Sequence, residues 1–597
     1  MKISYLDGSR LYYAFLAGGH AVIEDKDYLN KINVFPIPDA DTGTNLASTM
    51  RSIAEEAKPF PSIKQTLRSI ADAALHGARG NSGIIFAQFL SGFCHEIHKD
   101  ESDGRISTTT FGETIREAVS HAYNSILTPV EGTMLTVIKD WAEAIYEKRK
   151  KTSDFAELLA DSLQAARKSL KETPKKLAVL AKAGVVDAGA KGFVDFLEGV
   201  VQFIMSGRLR RVLKYKTVEK MQDIQHSFHS FRERLQNRYC AEALMVNDKM
   251  RLDRLRSDIA PFGDSVIVAG SETKARIHVH TDTPADLFYK IKDYGDFVQL
   301  KIDDMQKQYE AAHKRKNRIA LVTDSACDLP QEIIDEFQIH VVPFHVHFGN
   351  SLFLDKLSIT PEQLYTMLRT RKDFPRSAQP NVKTIENLFS FLASHYENIL
   401  MVSISSGLSG VYQSALSIAE RLDKENIQVI DSKNLSVTQG LLVYRVAEAI
   451  EQGRSIQDII RLTKEWIPKL KVLVDVQTLE YFVRGGRVKP AKGLVAKILN
   501  IKPIISLDQE GKATNVGKSF SRRGSMKKIL RIIHQLSEQG ELWKYAIVHA
   551  QNRSRAELYA QKIKDMIQME PAYIIDVSPV LGVHTGIGSL GIAFMYK

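Results

Sequence analysis

Two carboxylates two residues apart, Asp39 and Asp41, stand in residues 33–45, Asn-Val-Phe-Pro-Ile-Pro-Asp-Ala-Asp-Thr-Gly-Thr-Asn. Pro36 and Pro38 fix φ and bias the residues before them towards extended backbone. Alternate side chains share a face there, so both carboxylates can converge on one point. Thr42, Thr44 and Asn45 add hydroxyl and amide groups where a helix is expected to begin, and Gly43 would let the backbone approach a ligand. Hard oxygen ligands beside exposed helix N–H groups suit Mg²⁺ with a phosphate chain. The plainer reading is an Asx/Pro turn that caps a helix and leaves both carboxylates solvated.

A second set with metal chemistry lies further on. In Arg276-Ile-His-Val-His-Thr a strand puts His278 and His280 on one face, and a thiolate from Cys240 would complete a three-ligand zinc site. Ordinary packing of a His-x-His strand is the alternative. Cys94 and Cys327 read as buried small residues with no visible partner.

The elements that must position these groups fall into three blocks. At 597 residues the chain exceeds one core, and a spacing of about 150 residues per domain predicts three or four units. Residues 1–210 are all-α, with apolar positions at three- and four-residue spacing through residues 11–23, 63–75, 111–126, 134–146 and 155–170. Loops of glycine and small polar residues interrupt them at residues 33–45, 77–83, 131–134 and 186–192, each near a helix start. A bundle that gathers such loops at one end makes a phosphate cradle of backbone N–H groups and hydroxyls. Residues 225–312 read as a small α+β unit, with short alternating runs at 243–246, 265–269 and 276–280 and a closing segment at 298–309. From 318 to 597 an α/β unit follows, with strands at 319–322, 341–347, 399–404 and 427–430. Ligands of open α/β sheets bind at the carboxyl ends of strands, where Ser377-Ala-Gln-Pro, residues 403–410 and Asp431-Ser432 are expected to land.

Composition narrows the class. The chain is 44% hydrophobic and 25% charged, as in soluble globular proteins. Its net charge of +11 is spread over clusters at apparent element ends, without a nucleic-acid motif, so no nucleic-acid partner is expected. The three cysteines form no disulfide framework. The N-terminus lacks a signal pattern and no apolar run reaches about 18 residues, which predicts a cytoplasmic protein.

Residues 33–45, Gly77-Ala-Arg-Gly-Asn-Ser-Gly and Val186-Asp-Ala-Gly, in that order, resemble the nucleotide-binding helical-barrel (DhaL-like) domain of the dihydroxyacetone kinase family, in the branch found in bacterial fatty acid kinases. The resemblance implies that Asp39 and Asp41 bind the Mg²⁺ pair bridging the ATP phosphates, with Asn33 at a further ligand position. It implies that Thr42, Thr44, Asn45, Asn81 and Ser82 hold phosphates and that Gly132, Thr133, Met134, Asp187 and Gly189 border the nucleotide. Tyr239-Cys240 and His278-Val-His-Thr resemble the fatty acid kinase middle domain, in which the Cys and two His carry Zn²⁺.

Residues 318–597 resemble the DegV family of fatty-acid-binding proteins through Val322-Thr-Asp-Ser, Ile404-Ser-Ser-Gly-Leu-Ser-Gly, Gly485-Gly-Arg and His584-Thr-Gly. This implies a buried tunnel for one acyl chain, whose carboxylate meets Ser377 and Ser405 or Ser406 near His584, with Arg487 steadying anionic groups.

Together these resemblances imply an ATP-dependent kinase of a fatty acid carboxylate with its lipid carrier fused on. A carboxylate is already ionised at neutral pH and needs no general base, only position and charge neutralisation. A homodimer is expected if the carrier part docks on a neighbour's kinase part, and an acyltransferase at the membrane is the expected consumer of an acyl phosphate. Two other readings stand beside it: a lipid-binding or sensing protein with an inactive kinase half, and a kinase of a small hydroxy-ketone such as dihydroxyacetone.

Overall fold

The computed structural model describes residues 2–35, 41–97, 104–206, 236–422, 425–486 and 502–597. The chain divides into two compact units, one of Met1–Thr283 with Ile291–Asp304 and one of Pro284–Lys290 with Met305–Lys597.

Among the described residues the first unit opens with ten helices: α1 (Gly8–Glu24), α2 (Lys26–Lys31), α3 (Thr42–Glu56), α4 (Ile63–Gly77), α5 (Gly80–Glu96), α6 (Thr108–Asn124), α7 (Met134–Lys148), α8 (Phe155–Lys176), α9 (Ala178–Ala183) and α10 (Ala188–Ser206). A two-residue ribbon, β1 (Leu6–Asp7) with β2 (Arg105–Ile106), ties the amino end to the start of α6. Side-chain caps begin several helices: Ser62 accepts from Gln65 N–H, Ser107 from Thr110 N–H and Asp154 from Ala156 N–H. The core is aromatic, with Phe86 edge-on to Phe196 at 5.0 Å and Trp141 edge-on to Phe193 at 5.6 Å.

A four-stranded antiparallel sheet completes this unit, in the order β4 (Asp264–Gly270), β5 (Lys274–Thr281), β3 (Tyr239–Val246), β6 (Asp296–Asp304). It is not hung on a free linker. Leu127 N–H donates to Val266 O (3.1 Å) and Val268 N–H to Ser125 O (3.0 Å), so the chain leaving α6 pairs with the edge strand β4. Leu244, Ile267 and Ala269 belong to the same buried cluster as the helices.

In the second unit, parallel strands run in the order β13 (Ile427–Asp431), β12 (Asn398–Ser403), β7 (Ile319–Asp324), β8 (His340–Val342). A small antiparallel sheet has the order β10 (Ser351–Leu354), β9 (His345–Phe348), β11 (Arg376–Ala378). The strand expected over 341–347 is therefore two strands in two sheets. Pro343 stands between them, and a residue without an N–H cannot carry a ladder onward. A six-stranded sheet follows in the order β16 (Ala513–Ser519), β15 (Lys502–Leu507), β14 (Leu470–Asp475), β19 (Leu590–Tyr596), β17 (Leu542–His549), β18 (Ile574–Asp576). Among the helices of this unit, α11 (Val411–Arg421), α12 (Ser436–Glu451) and α13 (Pro579–Thr585) bear on the site. The architecture is thus an all-α segment, a small α+β segment and a two-lobed α/β segment. No helix among the described residues is long and apolar enough to cross a membrane.

Candidate functional site

The four small-residue loops meet at the amino ends of α3, α5, α7 and α10. Gly80, at φ +55°, packs so closely on the Asn45 amide that a side chain there would collide with it. A Cβ on Gly189 would lie 2.7 Å from Ser82 Oγ and 3.4 Å from both Asp187 Oδ1 and Met134 Cε. Asn45, Ser82, Met134, Asp187 and Gly189, expected around one nucleotide, are therefore neighbours.

Asn30 fixes the first turn of α3: its Oδ1 accepts from Thr44 N–H and its Nδ2 donates to Thr44 Oγ1, each at 3.0 Å. Asp41 occupies the N-cap of α3 but makes no side-chain capping bond; only its carbonyl is used, accepting from Asn45 N–H at 2.8 Å. The Asp41 carboxylate is not consumed by the turn. Asp39 lies outside the described residues. Asn33 is buried, and its N–H donates to Asn30 O. Thr42 and Asn45 are also buried, and Asn81 Oδ1 is a buried acceptor without a donor among the described residues, the kind of atom a bound ligand or ion satisfies. Gly43 has a packing role that the sequence did not suggest: a Cβ there would run into Lys26 O, so it lets α3 pack on α2.

The remaining loops hold themselves in shape. Gly132, at φ +85°, donates to Thr136 Oγ1 (2.8 Å), and Thr133 Oγ1 donates to Val130 O (2.8 Å). Asp187 accepts from Ala190 N–H at 2.8 Å and from the Met134 backbone, joining the starts of α10 and α7. Burial pushes its carboxyl up to about 6 against the pull of those two donors.

The Cys240, His278 and His280 ligand atoms lie within 4.8 Å of one another. Strand register explains this: Cys240 stands opposite His280, and Glu242, two residues on and on the same face, stands opposite His278. His278 Nδ1 is 3.2 Å from Glu242 Oε1 and His280 Nδ1 is 3.5 Å from Asp264 Oδ1. Each imidazole thus turns Nδ1 to a carboxylate, that of His278 also lying 3.7 Å from Cys240 Sγ, and His278 Nε2 is buried with no partner among the described residues. One sulfur and two imidazole nitrogens, backed by carboxylates, fit a zinc ion with a position left open. Burial holds the His280 pKa down, which keeps the ring neutral for ligation. Burial, with Glu242 and Asp303, raises the Cys240 thiol.

This cluster adjoins the small-residue loops. Gly80 N–H donates to Glu242 Oε1 at 2.7 Å, and Asp41 is near enough to add to the field at Cys240 and His280. Glu242 itself is held below the usual carboxylate range: burial opposes its ionisation, but the hydrogen bond from His278 and the charges of Arg276 and Lys301 outweigh it. Sequence reasoning missed Glu242, although the period of two that aligned the histidines also places it beside Cys240.

In the second unit Ser377 Oγ and His584 Nε2 are 2.7 Å apart. Two buried carboxylates hold the helix that carries His584. Val580 N–H donates to Asp355 Oδ1 (2.9 Å) and Ser578 N–H to Asp328 Oδ1 (3.0 Å). Gly485 lies so close to His584 Nδ1 that no side chain fits between them, whereas Arg487 falls outside the described residues. Gln379 reaches Gly410 at the start of α11, which brings the end of β11 beside the serine-rich loop. The serine hydroxyls of that loop tie it to neighbouring segments: Ser405 Oγ donates to Gly511 O (2.9 Å), and Ser406 Oγ donates to Asp431 Oδ2. An apolar cleft is lined by Leu435, Val437, Val472, Val548, Leu581 and Leu590. Cys327 is buried and Cys94, expected buried, is half-buried; none of the three cysteines is in a disulfide.

Residues 36–202 match the family model of the DAK2 domain, residues 236–312 that of the FakA-like middle domain of fatty acid kinase, and residues 318–597 that of the uncharacterised DegV family. Uncharacterized proteins of Staphylococcus aureus strains USA300 and NCTC 8325 are each 31% identical over 474 residues, covering 76% of this chain and 84% of theirs. Among solved structures, DegV of Bacillus subtilis, described as a fatty acid binding protein, is 26% identical, covers 47% of this chain and 100% of its own, and has a TM-score of 0.43. A fatty-acid-binding DegV family protein of Thermus thermophilus gives the same figures. With all three segments matched in order on one chain, and relatives this similar over most of their length, the protein belongs to the fatty acid kinase family, as a member in which a DAK2 domain and a FakA-like middle domain are joined to a DegV domain.

Proposed function

We propose that the chain transfers the γ-phosphoryl group of ATP to the carboxylate of a fatty acid carried by its DegV segment, giving acyl phosphate and ADP. A carboxylate oxygen forms the new bond to phosphorus, and the bond from that phosphorus to the β-γ bridging oxygen breaks. The observation that carries this reading is the convergence of Asn45, Gly80, Ser82, Met134, Asp187 and Gly189 at four helix amino ends, beside an Asp41 carboxylate that the turn leaves unused. Backbone N–H groups at helix starts favour phosphate oxygens. In this reading Thr42, Thr44, Asn45, Asn81 and Ser82 line the phosphates, with Gly132 and Thr133 at the nucleotide's border. Asp39 and Asp41, with Asn33, would hold Mg²⁺, which offsets phosphate charge when bound. Cys240, His278 and His280 would hold Zn²⁺.

Ser377 and His584 offer a hydroxyl and an imidazole to the fatty acid head group, and the apolar cleft offers room for methylene groups. Ser405 and Ser406 shape the adjoining loop, and Arg487 screens the approach of two anions. No general base is required of either unit, because the acceptor arrives ionised. A chain carrying both units raises the effective concentration of the carried acid at the kinase.

The test is to incubate the full chain with ATP, Mg²⁺ and a long-chain fatty acid, and to trap acyl phosphate with hydroxylamine. Hydroxamate from the wild type and none from Asp41→Ala is the expected result. No hydroxamate, with lipid still co-purifying, would replace the kinase reading by that of a carrier or sensor.

A further inference from the structure

We propose that Arg79 is a catalytic residue whose guanidinium holds oxygens of the γ-phosphoryl group as it passes to the acyl carboxylate, an inference that rests on the kinase reading above. Arg79 occupies the N-cap of α5, in the loop that also carries Asn81 and Ser82, and its side chain makes no capping bond. It is exposed and has no hydrogen bond, ion pair or ring contact among the described residues. Its place is one that a free cation should avoid. The amino end of a helix carries partial positive charge, and Arg79 is near enough to add to the field at two further cations, Arg276 and Lys301. Backbone geometry agrees: the Gly80 N–H next to Arg79 donates to Glu242 Oε1 at 2.7 Å, and Glu242 stands opposite Lys301 in the register of β3 on β6.

The counter-charges nearby are already taken. Glu242 Oε2 lies 3.3 Å from Arg276 Nη2, Arg276 Nη1 donates to Gln299 Oε1 at 2.9 Å, and Lys301 pairs with Asp303. Three cations thus share two carboxylates, and Arg79 is the one left over. Such an excess at a helix start is a seat for an anion that arrives with the substrate. Asp41 bears on the same sheet face, at Cys240 and His280, so the carboxylate assigned to the metal and the guanidinium border one space. A phosphoryl group in transfer spreads negative charge over its three equatorial oxygens, and a planar guanidinium can give two of them parallel N–H bonds. Arg79 stays protonated throughout and takes no proton. The step therefore balances as before: the carboxylate oxygen bonds to phosphorus while the bridging oxygen leaves on ADP with the electron pair.

The experiment uses the full chain with Mg²⁺. Calorimetry compares ADP with a non-hydrolysable ATP analogue, and the hydroxamate assay gives kcat and the KM for a long-chain fatty acid. Arg79→Gln is expected to bind ADP as the wild type does, to bind the triphosphate analogue about tenfold more weakly and to lose about 10²–10³-fold in kcat, with the fatty acid KM unchanged. Arg79→Lys, which keeps the charge without the planar fork, is expected to regain part of that loss. Guanidinium ion, below the concentrations that unfold the chain, is expected to restore part of the turnover of Arg79→Ala and none of that of Asp41→Ala, which a merely structural role would not produce. Because the side chain is exposed and unbonded, these Arg79 variants are expected to melt at the wild-type temperature. An unchanged kcat, an ADP affinity that falls as far as that for the triphosphate analogue, or a raised fatty acid KM with kcat kept would each overturn the inference, the last by moving the guanidinium to the carboxylate. No hydroxamate from the wild type would instead remove the kinase reading, while loss of affinity for the triphosphate alone in Arg79→Gln would still leave the guanidinium at the γ-phosphate.

Discussion

Two effects oppose each other at Asp187. Its oxygens receive N–H groups from the starts of α7 and α10, which favours the carboxylate, yet burial favours the acid more and sets its pKa at about 6. A folded pKa above the unfolded value means that the stability contribution is fully present below about 4 and is lost as pH rises through about 6. The loss is at most about 3 kcal/mol, since each pKa unit is worth about 1.4 kcal/mol. Thermal melts should therefore show Asp187→Asn gaining on the wild type between pH 4 and 7, and a constant difference across that range would contradict the assignment. At Ser377 the expectation concerns binding: Ser377→Ala removes the hydroxyl 2.7 Å from His584 Nε2 and should weaken fatty acid binding about tenfold, measured by displacement of a fluorescent fatty acid. At this scale the sequence showed residue types and spacing and concealed what the side chains touch. Ser405 and Ser406 were legible as hydroxyls at a strand end, but not their bonds to Gly511 and Asp431, which lie far along the chain. Glu242, which stands in no motif, meets both the Gly80 amide and the His278 ring.

Helices and strands account for most of what could be read in advance. The amphipathic period of residues 63–75 and 155–170 became α4 and α8, and the strand at 319–322 became β7. Alternation on Arg276-Ile-His-Val-His-Thr put both histidines beside Cys240 because β3 and β5 pair in a register that one residue of slip would have destroyed. The segment at 341–347 failed as one strand because the proline inside it weighs more than its apolar run. Element packing also yields a prediction. Phe193 is 1% exposed and meets Trp141, Phe86 and Phe89 edge-on. Phe193→Ala should cost the first unit about 3–5 kcal/mol in urea melts, whereas Gln65→Ala on the exposed face of α4 should change little. Gly43→Ala is expected to lower the melting temperature of the first unit through its collision with the Lys26 carbonyl, even with no nucleotide present.

Across the whole molecule, the order of segments was legible because each carries its own motifs, but the sharing of a core was not, since contacts between residues more than a hundred positions apart leave no local pattern. Whether one chain serves itself is open to a mixing experiment. Asp41→Ala keeps the carrier segment and Ser377→Ala keeps the kinase segments. If a chain phosphorylates the acid it carries, an equimolar mixture should give no more hydroxamate than the two variants apart, and activity per chain should not rise with protein concentration. Recovery on mixing would show transfer between copies.

The backbone pairing of Ser125 and Leu127 with Val266 and Val268 bears on how such a chain could have been assembled. A gene break between the helical and middle segments would strip Leu244, Ile267 and Ala269 of the helices they pack on and leave a sheet edge unpaired. Recombination that exchanged the helical segment alone would thus deliver two sticky halves. Ancestral rearrangements that survived are expected to have moved both segments as one inheritance.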